Sequence, residues 1–366
     1  MLLGNYGDMF SELRKTYSGK KVLLTGHTGF KGSWLLKIFS VLGAEIKGYA
    51  LAPENEPNLY NTIGGDELCQ SIIADLRNKE KLTEAIISFK PDFIFHLAAQ
   101  PLVRLSYQIP VETFEVNAIG TVNVLDGLRQ LKKRCCAVLI TTDKVYHNNE
   151  WPYPYRESDK LGGYDPYSAS KACAELVISS YRNSFFNLET YSIHQKAIAV
   201  ARAGNVIGGG DWAKDRLIPD IISALQKNVR IEIRNPDAIR PWQHVLEPLY
   251  GYLLLGAKLS QAPNLFSKAY NFGPDVNDAL PVAKIADMAI NCWGQGDYHI
   301  KSEDNQPHEA GLLKLDISKT IAELNWAPKM NASQAVENTI RWYKQFYHNG
   351  NIGNYMETEI EQFFNG

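Results

Sequence analysis

The chain has 366 residues, of which 45% are hydrophobic, and its formal net charge is −2 at pH 7. A typical domain of about 150 residues predicts two lobes here, with enough apolar material for a packed core. The near-neutral charge argues against a nucleic-acid partner, and the absence of any run of about eighteen apolar residues argues against a membrane partner.

Cysteine usage indicates the compartment. The chain contains five cysteines: Cys69, Cys135, Cys136, Cys173 and Cys292. Their odd number and the lack of a Cys-x-x-Cys spacing predict reduced thiols in the cytoplasm. The charged first twenty residues do not resemble a signal peptide. No His, Cys or carboxylate cluster has metal-ligand spacing, so no metal site is expected.

Strands and helices alternate over the first part of the chain, after an N-terminal extension at 1–19. Strands are predicted at 21–25, 44–51, 71–74, 91–99, 136–141 and 198–202, and helices at about 32–43, 78–89, 110–131 and 166–185. Continuous apolar strands separated by helices predict an α/β fold with a Rossmann-type, doubly wound parallel sheet. Residues 1–205 are the predicted dinucleotide-binding domain. The alternation stops after residue 205, which predicts a smaller mixed α/β substrate-binding lobe at 206–366, with some segments returning to the main sheet.

Three glycines separate the first strand from the first helix. Glycine allows a sharp turn and a close approach of the backbone to a ligand. The N-terminus of the helix offers free N–H groups and a positive dipole end to a pyrophosphate. This strand, turn and helix therefore predict dinucleotide binding. The predicted contacts in this segment are Gly26, His27, Thr28, Gly29, Phe30, Lys31 and Gly32.

Ligands of an open parallel sheet bind beyond the carboxyl ends of its strands. The further cofactor contacts predicted at these ends are Asp75, Leu76, Ala98, Ala99 and Gln100. Asp75 is placed to bond an adenine amino group, although it could instead cap a helix. The second strand ends at Leu51-Ala52, without a ribose-binding acid, so the residues alone leave NAD and NADP open.

Tyr167 and Lys171 lie four residues apart, on one face of a predicted helix. An ammonium beside a phenol favours the phenolate, so we expect a lowered pKa for Tyr167. The phenolate would take a proton from a substrate hydroxyl while nicotinamide takes the hydride. Thr142 would hydrogen-bond the same hydroxyl. The alternatives are an ordinary surface pair and a turn threonine with only local bonds.

These residues resemble the extended short-chain dehydrogenase/reductase family over nearly the whole chain. The resemblance rests on Gly26-x-x-Gly29-x-x-Gly32, the HLAAQ segment at 96–100, Asn117 and Tyr167-x-x-x-Lys171. It implies tightly held NAD, with Asn117, Tyr167 and Lys171 among the cofactor contacts. It also implies a homodimer or homotetramer whose dimer face is formed by the helices at 110–131 and 166–185, although those apolar surfaces could equally be core.

Four stretches resemble the branch of that family that dehydrates CDP-glucose. They are GHTGFKGSW at 26–34, TDKVY at 142–146, ARAGNVIGGGDW at 201–212 and RNPDAIRPWQHV at 234–245. The resemblance implies CDP-glucose as substrate. It also implies three stages, namely oxidation at C4, loss of water across C5 and C6, and return of the hydride to C6.

The elimination needs an acid and a base, and Asp143 and Lys144 stand beside Thr142. Related TDP-glucose dehydratases carry an acidic residue at the second position, so the roles are open. We favour Asp143 as acid and a desolvated, neutral Lys144 as base. An exposed Asp-Lys turn is the alternative.

Arg216, Arg234 and Arg240 are the predicted contacts of the substrate diphosphate, since guanidinium groups match phosphate oxygens. Asn205 is expected to contact the substrate from a strand end. Two other functions stay open, namely a nucleotide-sugar epimerase or reductase and a non-catalytic dinucleotide-binding module.

Overall fold

The structure is a computed structural model that describes residues 7–213, 216–276, 278–301 and 312–365, and side chains from residue 10 onward. The predicted extension at 1–19 thus lies partly outside the described residues. The strands in the described part are β1 (Lys21–Thr25), β2 (Glu45–Ala50), β3 (Gln70–Ile73), β4 (Phe93–His96), β5 (Cys135–Ile140), β6 (Lys196–Ala203), β7 (Val206–Ile207), β8 (Ile231–Ile233), β9 (Ile239–Pro241), β10 (Gln243–His244), β11 (Ala269–Phe272), β12 (Ala279–Pro281) and β13 (Tyr298–Ile300).

Helices separate most of these strands. They are α1 (Gly7–Tyr17), α2 (Phe30–Val41), α3 (Leu59–Thr62), α4 (Gly65–Leu68), α5 (Lys79–Phe89), α6 (Val103–Gln108), α7 (Pro110–Phe114), α8 (Gly120–Gln130), α9 (Pro166–Ser184), α10 (Tyr191–His194), α11 (Leu217–Gln226), α12 (Leu246–Gln261), α13 (Pro263–Phe266), α14 (Val282–Trp293), α15 (Ser318–Leu324), α16 (Ala332–Tyr347) and α17 (Ile352–Asn365). Over the described ranges, no helix has both the length and the apolar character needed to cross a membrane.

The central sheet has seven parallel strands in the order β11-β6-β5-β4-β1-β2-β3. Leu24 of β1 lies opposite Gly48 of β2 on one side and opposite Phe95 of β4 on the other. The chain first adds strands on one side of β1 and then on the other. The crevice at this change of direction is where doubly wound sheets bind their ligands.

Both faces of the sheet are buried, which explains the continuous apolar strands. Side chains alternate between the two faces along a strand. In β1, Val22 and Leu24 join one core cluster, and Leu23 joins a second cluster with Ile94. Helices therefore cover both sides, as expected for a parallel sheet.

The helix predicted at 110–131 is interrupted. Helix α7 runs into a π-helical turn at Glu115–Ile119, and α8 then continues the rod. The π-helical segment is only five residues long, and the sequence periodicity does not reveal it. Turns of this type are frequent at functional sites, and this one carries Asn117.

The remainder of the chain forms small elements beside the sheet. Strand β7 pairs with β10, β9 with β12 and β8 with β13, each as a two-stranded sheet. Strand β11 lies at the edge of the main sheet against β6, so this part of the chain contributes to both regions. Residues of β7, β8 and β9 line the same cavity as the residues that follow the central strands.

Candidate active site

A cavity of about 1490 Å³ lies at the carboxyl edge of the sheet. Its walls include the residues that follow five central strands, such as Gly26, Ala52, Ala98, Thr142 and Gly204. The opposite wall comes from β8, β9 and the loops around them. This position agrees with the general rule for ligands of open α/β sheets.

The glycine turn has no room for side chains at two of its positions. Gly26 has φ +77°, and a Cβ there would lie 2.7 Å from the backbone nitrogen of Ala98. A Cβ on Gly32 would lie 1.8 Å from the carbonyl oxygen of Gly26. Gly29 is the N-cap residue of α2 and lines the cavity, and no side chain caps the first N–H groups of this helix. The N-terminus of α2 is therefore available to an anion, which fits the pyrophosphate of a dinucleotide.

His27 does not line this cavity with its side chain, which differs from the expectation of a cofactor contact. Its ring is fully buried beside Gly48, where a Cβ would lie 2.4 Å from ring atoms, and its Nε2 hydrogen-bonds Ser71 Oγ at 2.8 Å. Burial lowers the pKa of His27 to about 4. The side chain thus packs the glycine turn against β2 and β3.

Thr28, Phe30 and Lys31 do line the cavity. Thr28 Oγ1 donates to the carbonyl oxygen of Leu51 at 2.8 Å. Burial, with a contribution from the positive charge of Arg216, lowers the pKa of Lys31 to about 8. Several cations thus approach one another here, an arrangement that favours bound anions.

Asp75 and Leu76 lie on the cavity wall beyond β3. The Asp75 carboxylate is bonded by Arg77, with Nη2 at 2.6 Å from Oδ2 and the backbone nitrogen at 2.8 Å from Oδ1. This hydrogen bonding holds the pKa of Asp75 below its usual value. A carboxylate has further lone pairs, so the adenine contact of Asp75 stays a prediction.

Ala98 and Ala99 line the cavity, whereas Gln100 and Asn117 are buried outside its wall. Gln100 N donates to Asn117 Oδ1 at 2.8 Å, and Asn117 Nδ2 donates to Ser170 Oγ at 2.9 Å. The π-helical turn therefore ties the end of β4 to α9. Gln100 and Asn117 thus support the cavity wall from behind, and their direct contact with the cofactor stays a prediction.

Thr142, Asp143 and Lys144 follow β5 and face the cavity. Asp143 Oδ1 accepts from Thr142 Oγ1 at 2.8 Å and from Lys144 Nζ at 3.2 Å. Burial is the largest single effect and opposes the charge on Lys144, but the Asp143 carboxylate and Tyr167 together raise the pKa of Lys144 above its usual value. The expectation of a neutral Lys144 base is therefore wrong for this state, since the neighbouring carboxylate keeps the ammonium charged.

Tyr167 stands at the start of α9, where Asp165 caps the helix by accepting from the backbone nitrogen of Ser168 at 2.9 Å. Burial raises the pKa of Tyr167, against the opposing effects of the Lys144 charge and a hydrogen bond with Thr142. The expected lowering of this pKa is wrong here, because desolvation dominates. The cation that favours the phenolate is Lys144, from a different element than the predicted Lys171.

Lys171 lies one turn further along α9 and lines the cavity. Its Nζ donates to the carbonyl oxygen of Ile140 at 3.0 Å. Burial lowers the pKa of Lys171 to about 8, and the Glu175 carboxylate opposes this shift. Lys171 therefore contacts the end of β5, and the Glu175 carboxylate one helical turn away favours its charged form.

Glu175 belongs to a buried network that the sequence analysis missed. Arg202 Nε lies 2.8 Å from Glu175 Oε1, and Nη2 lies 3.0 Å from Oε2. Thr141 Oγ1 donates to Glu175 Oε1 at 2.6 Å. The available signal was an arginine inside the apolar strand at 198–202 together with a glutamate four residues after Lys171, since charges at buried positions occur in pairs.

All four predicted substrate contacts line the same cavity: Asn205, Arg216, Arg234 and Arg240. Asn205 Oδ1 accepts from Lys144 Nζ at 3.2 Å, next to the proposed chemistry. Arg216 pairs with Asp211, with Nη1 at 2.9 Å from Oδ2. Within the described ranges, no group of three or more His, Cys, Asp or Glu side chains has the arrangement of a metal site.

Sequence comparison identifies the family. The sequence model of the GDP-mannose 4,6 dehydratase family matches residues 23–339. CDP-glucose 4,6-dehydratase from Salmonella typhimurium is 49% identical over 328 residues, which are 90% of this chain and 91% of that enzyme. This chain belongs to the 4,6-dehydratase family. The resemblance inferred from the motifs is thereby confirmed.

Other members of the wider group show the same fold. CDP-paratose 2-epimerase from Salmonella typhi is 25% identical over 344 residues, covering 88% of this chain and 98% of that protein. The solved structure of DesIV, a dTDP-glucose 4,6-dehydratase from Streptomyces venezuelae with NAD and TYD bound, has a TM-score of 0.76 at 21% identity, covering 90% of this chain and 98% of DesIV. The doubly wound fold predicted from the sequence is thereby confirmed.

Proposed function

We propose that this protein is a lyase that dehydrates CDP-glucose to CDP-4-keto-6-deoxyglucose, for deoxysugar biosynthesis. The observation that carries the proposal is a charged Asp143–Lys144 pair beside Tyr167, in a cavity that also contains the glycine turn. A simple oxidation would need only the tyrosine, whereas loss of water needs a second acid and base. The 49% identity to CDP-glucose 4,6-dehydratase supports the choice of sugar nucleotide.

In the first stage, Tyr167 takes the proton of the C4 hydroxyl. Burial disfavours its phenolate, and the Lys144 charge, the hydrogen bond with Thr142 and the Arg216 charge each oppose this effect. NAD held at the glycine turn would supply the hydride acceptor for C4 and the hydride donor for C6. Lys171, held at the back of β5 by Ile140, adds a second positive charge to this region.

In the second stage, the C4 ketone acidifies the C5 hydrogen, which leaves as a proton, and the C6 hydroxyl leaves as water. The hydrogen bonding supports a division of roles, because Asp143 Oδ1 accepts two hydrogen bonds and Lys144 donates two. We therefore place Asp143 as the base at C5 and the Lys144 ammonium as the acid at the C6 hydroxyl. This reverses the assignment favoured from sequence. The proton at C5 is restored when the hydride returns to C6.

Two variants in D₂O separate these roles. In K144M the acid is missing, so elimination stops, but Asp143 still exchanges the C5 hydrogen of the ketone. Recovered CDP-glucose should then carry deuterium at C5. In D143N both exchange and elimination should stop. Exchange that is lost in K144M and kept in D143N would contradict the assignment and restore the opposite one. NAD binding by each variant is the control for an intact site.

The function itself is tested by incubating the purified protein with CDP-glucose and measuring the mass of the product. Loss of one water is the expected result. An isomer of unchanged mass would instead indicate an epimerase, and an unchanged substrate would indicate a binding module. Parallel reactions with the ADP, GDP, UDP and TDP sugars measure how strongly the site selects cytidine.

We also propose that the protein is a cytoplasmic homo-oligomer. All five cysteines are free, which agrees with a reducing compartment. The faces of α7, the π-helical turn and α9 expose Val111, Ile119 and Leu176, at 70%, 52% and 61%. A dimer would cover them. Light scattering should give at least twice the mass of one chain, and L176E should lower it to one chain. A wild-type protein of single-chain mass would contradict the oligomer.

A further inference from the structure

The loop from Gly208 to Trp212 follows β7 and lines the cavity, and two helices distant in sequence hold it. Trp34 of α2 donates from Nε1 to the carbonyl oxygen of Gly209 at 2.9 Å. Tyr343 of α16 donates from its hydroxyl to the carbonyl oxygen of Asp211. Gly209 packs so closely on α16 that a Cβ would lie 1.9 Å from the ring of Trp342. The backbone of this loop is therefore fixed on both sides.

The aromatic residue at the end of the loop adds to this anchoring. The ring of Trp212 lies 5.9 Å from that of Trp342 and 5.1 Å from that of Phe346, both on α16. Aromatic pairs at these distances stabilise the packing beyond the effect of the area they bury. Trp34 and Trp212 therefore anchor the same loop, Trp34 through a hydrogen bond to Gly209 and Trp212 through its packing on α16.

The side chain of Asp211 points from this fixed loop to one arginine. Its Oδ1 accepts from the backbone nitrogen of Ala213 at 3.0 Å, and its Oδ2 accepts from Arg216 Nη1 at 2.9 Å. The Asp211 side chain is 8% exposed and the Arg216 side chain 35% exposed, and both residues line the cavity. The pair is thus buried at the carboxylate end and open at the arginine end.

A guanidinium has five N–H donors in a planar fork. Asp211 uses one edge of the fork through Nη1, which leaves donors facing the cavity for a second anion. Two oxygens of a phosphate match this spacing. An arginine that is already held in place loses less side-chain entropy on binding than a free one, a cost of about 0.5–1.5 kcal/mol for a flexible side chain.

We propose that Asp211 is a positioning residue that fixes Arg216 for the diphosphate of a nucleoside diphosphate sugar. The inference rests on the proposed function, because it takes that substrate class to occupy this cavity. It adds a chain of contacts from the NAD-binding helix α2 and the C-terminal helix α16, through the Gly208–Trp212 loop, to the substrate arginine. Asp211 itself does not touch the substrate.

Equilibrium binding of CDP to the NAD-loaded protein tests this inference through a double-mutant cycle of D211N and R216M. We expect D211N to weaken CDP binding by roughly 3- to 10-fold, from the ordering cost of the arginine. In the R216M background, D211N should have no further effect, because its action passes through Arg216. Cytidine, which lacks phosphate, should bind all four proteins equally. In turnover, D211N should raise KM for CDP-glucose with little change in kcat.

Equal losses of CDP binding from D211N with and without Arg216 would overturn the inference, and so would an unchanged affinity in D211N. Y343F provides a second route if D211N folds poorly, since it releases the loop and keeps the carboxylate. It should weaken CDP binding in the wild-type background only. If the wild type dehydrates CDP-glucose but the losses of CDP binding in D211N and R216M are additive, only this inference is contradicted. A wild type that binds no CDP contradicts the proposed function as well.

Discussion

Replacement of Arg202 by methionine tests the buried network behind the catalytic strand. The arginine bonds both carboxylate oxygens of Glu175, at 2.8 and 3.0 Å, and also donates to the hydroxyl of Tyr146 at 2.8 Å and to the carbonyl oxygen of Glu157 at 3.1 Å. The side chains of Arg202 and Glu175 are only 5% and 4% exposed. Removing one partner of such a pair leaves a buried charge without compensation, which costs about 3–5 kcal/mol.

The free energy of unfolding should therefore fall by about 3–5 kcal/mol in R202M, measured by urea denaturation with NAD absent. The double variant R202M/E175Q removes the second charge as well and should recover most of this loss. T141V, which removes one hydroxyl bond to Glu175 and leaves both charges, should cost only about 1 kcal/mol. A loss below about 1 kcal/mol in R202M, or no recovery in the double variant, would refute the argument that this pair is coupled and desolvated.

Three other variants test separate parts of the account. Y167F should slow NADH formation in a single turnover by at least about 100-fold with NAD affinity retained, and a rate near that of the wild type would exclude the tyrosine as base. Because the pKa of His27 is about 4 in the folded protein and near 6.5 when unfolded, the unfolded chain binds more protons between these values, so stability should fall as pH falls through this window. H27Q should reduce that slope by up to about 1.4 kcal/mol per pH unit, and identical slopes would contradict the buried neutral ring. G209A should destabilise the protein by about 1–3 kcal/mol through overpacking against Trp342, and full stability in urea would disprove the tight contact.

The central sheet and its catalytic edge were predictable because both depend on patterns along the chain. Apolar strands between helices imply parallel pairing, and parallel strands bring their carboxyl ends to one edge. Gly26, Thr142 and Asn205 therefore meet in one cavity although they are far apart in sequence. The position of the glycine turn was equally predictable, since the spacing of its glycines reflects backbone contacts rather than side-chain packing.

Charge states were not predictable in the same way. The pKa of Lys144 depends on how burial and the Asp143 carboxylate balance, and both are set by tertiary structure. The helical spacing of Tyr167 and Lys171 suggested one ammonium beside the phenol, but the fold brings Lys144 from another element instead. Spacing along a helix describes neighbours on that helix and contains no information about the side chains facing it.

Residues in the second layer of the site also escaped sequence reasoning. His27 lies inside the glycine motif, yet its ring turns away to Ser71 because Gly48 leaves space for it. Asn117 lies in a π-helical turn, where its side chain bonds Gln100, and the spacing of apolar residues did not indicate this turn. In each case a local motif identified an important position, and the packing of a distant strand or helix decided what the side chain does there.

The most direct test uses CDP-glucose with deuterium at C4, incubated with the protein in ordinary water. The account predicts a 4-keto-6-deoxy product that has lost one water and carries the deuterium at C6, because the hydride leaves C4 and returns within the same closed site. Deuterium that stays at C4 in a product of unchanged mass, or that is lost to solvent, would contradict it.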